Sequence, residues 1–277
     1  MRFIALDVHR DFCEVAICED GKIRSHARIP TNVEHLEVFC LEVTGNALAI
    51  ARIFEPHVER VVLANAKAVK AISSAKIKTD KVDAQTLVKV LAAGFRPEVW
   101  IGNGTTRVLR RRISRRAQLV KQRTQAKNEI HGVMHRNLKG RPPASDLFGK
   151  KGRRWLADQE LPADERQTGD ACLRQIDFLD DEIELVDREL ALHALGSEDI
   201  RRLMTIPGIS VTTAAAFMAA VGDISRFPTP RHLVGYLGLD PKVRQSGSSP
   251  ARHGGISKQG PKEARHVLVE AAWTATK

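Results

Sequence analysis

The sequence predicts an α/β domain, then a long helical arm, then a mainly helical C-terminal domain. Three observations carry this. Strand and helix signals alternate through the first hundred residues, breakers nearly vanish between about Thr105 and Leu138, and Pro-Gly and Gly-rich turns punctuate short helical stretches in the last third.

In chain order, RFIALDV, EVAICED and GKIRSHARI read as three consecutive strands. A helix from about Val33 follows, then a strand over FCLEVT, a helix over Ala47 to Phe54, a strand over ERVVLAN and helices on to Leu91. That order suggests a mixed sheet covered by helices. Gly94, Pro97, Gly102 and Gly104 mark a boundary, which makes residues 1–104 the first domain. The arm is residues 105–197. Its second helix starts at Asp164 and spaces Cys172, Ile176, Leu179, Ile183, Val186 and Leu190 by alternating fours and threes, the seam of a coiled coil. Between the two helices GRPPASDLFGKKGRRW reads as a loop. Residues 198–277 open with LMTIPGISVTTAAAFMAAVGD, a helix, a Pro-Gly turn and a helix of small residues. This resembles a helix-hairpin-helix, whose turn offers backbone N–H groups to phosphate; an alanine-packed turn with no ligand looks the same. A Gly/Ser/Pro loop then leads to a last helix entered after Gly260. The chain stops at Lys277 inside an apolar helical pattern, without cap or breaker, which reads as an incomplete domain.

Composition narrows the class. The hydrophobic fraction, 43%, is ordinary for a globular chain of 277 residues. Cys13, Cys18, Cys40 and Cys172 form no CxxC pair and no zinc-type Cys/His spacing, so a reducing cytoplasm is expected. No apolar run reaches membrane-spanning length. The formal charge is +11, and it is concentrated: residues 105–154 hold 16 basic and 2 acidic side chains, residues 155–190 hold 3 and 12. Arg110, Arg111, Arg115, Arg116, Lys121 and Arg123 recur at helical spacing, as residues tracking a phosphate backbone do. The bland alternative is a basic helix neutralised by the acidic helix that follows it. Twelve acids cannot cancel sixteen bases, which favours nucleic-acid contact.

Carboxylates supply the chemistry. Asp80 and Asp83 share one helical face, where like charges repel unless a cation lies between them. Asp7 ends an apolar strand, and Glu42 sits among apolar neighbours before a Thr-Gly-Asn turn. Singly, each reads as a solvated acid or an ion pair. Jointly, they suit phosphodiester chemistry with two divalent ions, which needs several converging hard oxygen ligands.

The order of Asp7, Glu42 in LEVTGN, and KTDKVDA resembles the DEDD transposases of bacterial insertion sequences, the IS110 type. IPGIS, GYLGLDP, QSGSS and GGISKQGPKEARHVLVEAA resemble that family's C-terminal domain. The resemblance implies a RuvC-like ribonuclease H fold in the first domain, with Asp7, Glu42, Asp80 and Asp83 binding Mg²⁺, two ions, Mn²⁺ being an alternative. It implies Ser246 as a nucleophile attacking DNA, with Ser248 and Ser249 as competitors because QSGSS departs from the commonest pattern. It also implies a structured guide RNA and a dimer or tetramer in which acids of one subunit meet the serine of another. A phosphoserine ester conserves bond energy, so rejoining needs no ATP, and no GxxxxGK[ST] loop is present. Lys258 and Arg265 read as phosphate or RNA contacts, His253 as a weaker general-base candidate. Three alternatives remain at this point: a junction resolvase using water, a site-specific DNA invertase, and an inactive nucleic-acid-binding protein.

Overall fold

The structure, a computed structural model, describes residues 2–9, 11–30, 47–56, 61–65, 68–69, 79–95, 98–245 and 250–276. The chain forms two compact units, Met1–Ile101 and Gly102–Lys277.

In the first unit the three predicted strands are present: β1 (Arg2–Val8), β2 (Phe12–Glu19) and β3 (Lys22–Pro30) form an antiparallel sheet in the order β1-β2-β3. Asp20 and Gly21, both with positive φ, make the tight turn between β2 and β3. Period-two alternation gives the sheet two apolar faces. Leu6, Val8, Cys13 and Val15 pack with Ile50, Ala51 and Leu63, which brings in α1 (Ala47–Phe54). Ala5, Ala16 and Cys18 pack with Ala84, Leu87 and Val88 of α2 (Asp80–Ala92). The strand expected over ERVVLAN is not formed by its described part; Val61–Asn65 makes one isolated bridge, Ala64 to Glu98, with Val99 N–H donating to the Leu63 carbonyl at 2.7 Å. Apolar burial of Leu63 produced the β-like pattern there, since a buried extended segment and a strand share it. The helix expected from Val33 and the strand over FCLEVT lie outside the described residues.

The second unit is helical. Helices α3 (Gly104–Arg136) and α5 (Ala163–Leu195) are the expected arm. Asn103 starts α3 by accepting the Thr106 N–H at 2.9 Å. Ile176, Leu179, Ile183 and Leu190 of the seam are buried, against Leu119, Ala126, Ile130 and Val133 of α3 and the helices beyond. The expected loop between the arm helices contains a helix of its own, α4 (Lys150–Ala157). Composition concealed it, because its polar face is all Lys and Arg while Leu156 and Gly152 turn inward; a Cβ on Gly152 would meet the Leu147 carbonyl oxygen at 2.3 Å.

The C-terminal third packs onto the arm. Helix α6 (Glu198–Leu203), the turn through Gly208 and α7 (Val211–Val221) make the helical hairpin, and Ala214, Ala215, Ala216 and Ala219 join Leu109, Ile113 and Leu190 in one core. Alanines let α7 approach closely. After α8 (Pro230–Leu237), the segment expected as an irregular loop is a two-stranded antiparallel hairpin, β4 (Pro241–Arg244) and β5 (Arg252–Ile256), leading into α9 (Lys262–Ala275). Its glycines and exposed side chains hid a strand signal, because no face of it is buried.

Candidate metal centre and cationic surfaces

Alternation along β1 sends Asp7 to the α2 side of the sheet, where it is 8% exposed. His9, two residues on, follows Asp7; its backbone N–H donates to the Phe12 carbonyl at 2.9 Å and its ring lies 4.7 Å from that of Phe12. Thr79 caps α2, its hydroxyl oxygen accepting the Val82 N–H, so Asp80 opens the helix where its charge complements the helix dipole. His9 Nε2 lies 3.3 Å from Asp7 Oδ2 and 3.4 Å from Asp80 Oδ1, and one donor atom from each residue falls within 4.8 Å of the others. Two carboxylates and an imidazole at that spacing fit a divalent ion that accepts oxygen and nitrogen ligands. Asp7 is buried, while the Asp80 side chain is 42% exposed, so the cluster is open on one side. Asp83 lies one turn along α2, half-buried, and is outside that cluster. Glu42 falls outside the described residues. His9 escaped the reading of the sequence; its i+2 spacing from Asp7, just past the end of β1, was the available signal.

One acid was missed as well. Glu14 sits directly across the ladder from Asp7 and is 7% exposed. Arg28, opposite Glu14 on β3, donates from Nε to Glu14 Oε1 at 2.6 Å.

The basic residues of α3 are put to different uses. Arg112 meets Glu189 at 2.8 Å, Arg115 meets Glu182 at 3.4 Å, Arg116 reaches both oxygens of Asp187 at 2.5 and 3.1 Å, and Arg123 meets Asp180 at 2.5 Å. From Arg112–Glu189 through Arg116–Asp187 to Arg123–Asp180 the α5 number falls as the α3 number rises, so these pairs lace two antiparallel helices, with Arg115 reaching about one turn further along α5 to Glu182. Arg110 turns the other way, donating to the Ala219 and Ala220 carbonyls at 2.6 and 3.1 Å and closing the last turn of α7. Arg111 and Lys121 are exposed and make no ion pair among the described residues. At the arm's far end Arg136 holds Glu165 at 2.9 Å, which raises the guanidinium further above its usual value and depresses the carboxyl. Burial pushes the Cys172 thiol up, which disfavours its reactive thiolate.

In the C-terminal third, the motifs GYLGLDP and GGISKQG clasp one another. Gly238 is left-handed, and a Cβ there would meet Gln259 O at 2.3 Å; a Cβ on Gly260 would meet Tyr236 O at 2.1 Å. Ser257 Oγ donates to Asp240 Oδ1 at 2.7 Å, and Arg265 donates to the Leu237 carbonyl at 2.8 Å. Lys258 is exposed, with its N–H on the Gly238 carbonyl. In the helical hairpin, Gly208 faces α9, where a Cβ would meet Ala271 O at 2.5 Å; the glycine therefore serves packing as well as the turn. Ser246, Ser248 and Ser249 lie outside the described residues, between β4 and β5. The stems that carry them put Arg244 directly opposite Arg252, with Lys242 and His253 also exposed. Like charges facing across a ladder are unfavourable unless an anion joins them.

Residues 4–137 match the IS110-type DEDD family, described as a transposase, and residues 200–277 match the family described as "Transposase IS116/IS110/IS902 family". A relative in Coxiella burnetii, the transposase for insertion sequence element IS1111A, is 27% identical over 98% of this chain and 77% of its own. A relative in Sinorhizobium fredii is 27% identical over 94% of this chain, which spans 64% of that relative's length. The pilin gene-inverting protein of Moraxella bovis is 41% identical over 25% of this chain and 22% of its own. Toward both ends, then, the chain is similar to transposases of the IS110/IS116 type, the DEDD match lying toward its N-terminus.

Proposed function

We propose that this chain cleaves and rejoins DNA strands as the transposase or recombinase of an insertion sequence, using a divalent-metal centre and a serine nucleophile. The convergence of Asp7, His9 and Asp80 on one side of the sheet, inside the DEDD match, carries the reading. Glu42 and Asp83 complete the acid set by resemblance, on a RuvC-like fold. A divalent ion held there, Mg²⁺ or Mn²⁺, would polarise a phosphate oxygen and activate a hydroxyl. In the reaction proposed, Ser246 Oγ forms a bond to phosphorus, the sugar oxygen leaves with the proton, and the reverse sequence rejoins the strand. Arg244 and Arg252 flank the serine segment and suit the phosphate's charge. A guide RNA and DNA would share the exposed cations of the arm, Arg111 and Lys121 among them.

Self-association has its own support. Phe178, Leu185 and Leu192 recur every seventh residue on α5, at 60, 53 and 70% exposure, and Leu195 at 70% extends them. They form an apolar stripe apart from the seam buried against α3, as a second copy would require. Site-specific inversion is the second reading, favoured by the stretch shared with the pilin gene-inverting protein, and it uses the same chemistry.

The test incubates the chain with element-junction DNA, Mg²⁺ and RNA transcribed from the flanking noncoding region. A covalent protein–DNA adduct is expected, lost in Ser246→Ala and kept in Ser248→Ala and Ser249→Ala. Cleavage without an adduct in any variant would assign the attack to water and favour a resolvase.

A further inference from the structure

We propose that Arg28 is a phosphate-binding residue beside the metal centre, its guanidinium holding the DNA phosphodiester adjacent to the one at Asp7, His9 and Asp80. The inference rests on the metal-centre reading above and adds the contact that fixes the strand against it.

Glu14 needs a cation, being buried across the ladder from Asp7 on the same face. Arg28 supplies it in an unusual manner. A guanidinium that only neutralises a carboxylate commonly engages both oxygens through two parallel N–H groups. Here one contact is made, from Nε to Oε1 at 2.6 Å, and the guanidinium carbon lies 4.0 Å from the centre of the Phe12 ring. The carboxylate and the ring occupy the inner edge and one face of the group. The outer edge is left: the Arg28 side chain is 60% exposed although the carboxylate it serves is 9% exposed, and its terminal nitrogens have no hydrogen-bond partner among the described residues. Two anchors fix the side chain before any ligand arrives, so little rotamer entropy is lost on binding.

That outer edge borders an open cavity of about 570 Å³ lined by Glu14, Ala27, Arg28, Thr79, Asp80 and Lys81. Two cations and the start of a 13-residue helix favour an anion there. Of its two carboxylates, Glu14 is already neutralised by Arg28, and Asp80 is also a member of the metal cluster. Cavity and cluster thus share Asp80 as a wall, and neighbouring phosphates of one strand can occupy both. Lys in place of Arg28 would keep the charge but lose the rigid fork.

The experiment measures affinity of the full chain for a fluorescein-labelled single-stranded DNA oligonucleotide as a function of salt. The proteins compared are wild type, Arg28→Lys, Arg28→Gln and the double variant Glu14→Gln/Arg28→Gln, in which no buried charge is left unpaired should Arg28→Gln alone fold poorly. Each phosphate is also replaced in turn by an uncharged methylphosphonate. The log–log salt slope is expected to fall by about 0.7 in both Gln variants, the value for one phosphate on a single strand, and to be kept by Arg28→Lys. One methylphosphonate position is expected to weaken wild type several-fold and to have no effect on the Gln variants. An unchanged slope and an unchanged methylphosphonate profile in both Gln variants would overturn the proposal, as would a wild-type chain that binds no oligonucleotide. Mn²⁺ binding, followed by electron paramagnetic resonance in wild type and Asp7→Asn, separates the two readings. Mn²⁺ lost only in Asp7→Asn together with an unchanged profile overturns the Arg28 contact alone; no Mn²⁺ in wild type together with the expected profile overturns the metal centre alone.

Discussion

The sheet unit and the helical unit treat charge in opposite ways. On the sheet, Asp7 and Glu14 are buried side by side, and the Asp7 side chain converges with those of His9 and Asp80. On the arm, Arg112, Arg115, Arg116 and Arg123 each meet an acid of α5. Gathering like charges out of water costs free energy unless a further cation or a ligand joins them, so the first arrangement is the candidate site. Matching opposite charges on a partly solvated surface contributes little and mainly sets how two helices align.

The comparison can be broken most severely at the cluster. Asp7→Asn and Asp80→Asn should abolish high-affinity Mn²⁺ binding and lower strand cleavage by more than about 100-fold, since even partners behind metal ligands are worth about 10–100-fold. Calorimetric titration showing unchanged ion binding in both variants would make the cluster an ordinary ion-pair network. In the helical unit, stability should instead follow apolar burial. Leu190 is fully buried between the arm and α7, and Leu190→Ala should cost about 2–5 kcal/mol in urea denaturation. Arg110→Ala should cost about 1–3 kcal/mol, because two carbonyls at the end of α7 lose a charged donor. Asp187→Asn, which removes the partner of Arg116 at the partly exposed surface, should cost less than about 1 kcal/mol in the same assay. A larger loss for Asp187→Asn than for Leu190→Ala would reverse the comparison.

The smallest effect is expected at the arm's end, where Arg136 holds the Glu165 carboxyl below the ordinary glutamate range. The folded value is the lower one. The pair therefore stabilises fully above the unfolded glutamate pKa, and its contribution fades as pH falls through the folded value. Thermal melts of Glu165→Gln should show a shallower loss of stability on the acid side than wild type does, and parallel curves would remove Glu165 from the acid response.

Much of this was legible in the chain. The first three strands, the helix over Ala47 to Phe54, both arm helices and the seam through Ile176, Leu179, Ile183 and Leu190 were legible locally, because the helices bury a continuous stripe and the strands are short apolar runs between turn residues. Helix α4 and the β4–β5 hairpin were not, because one carries its apolar side on two small-spaced positions and the other buries no face. Within the site, Asp7 and Asp80 could be singled out as acids in costly or repelling positions. Glu14 could not, because a strand glutamate is ordinary until its partner across the ladder is known, and His9 offered only its spacing from Asp7, which says nothing of Asp80.

By itself, the sequence determined the order of elements, the concentration of positive charge in the middle of the chain and the motifs that make it similar to IS110-type transposases. Those properties are local: a hydrophobic period, a count of charges, a run of residues. Only tertiary structure decided which cations remain available and which acids meet. Arg116 and Arg111 belong to the same basic run, yet packing gives one to Asp187 and leaves the other exposed without an ion pair among the described residues. Asp7 and Asp80 are far apart in the chain, yet β1 and α2 bring them to one imidazole. Antiparallel register and helix packing couple residues that no short stretch of sequence relates, and the chemistry of this chain depends on that coupling.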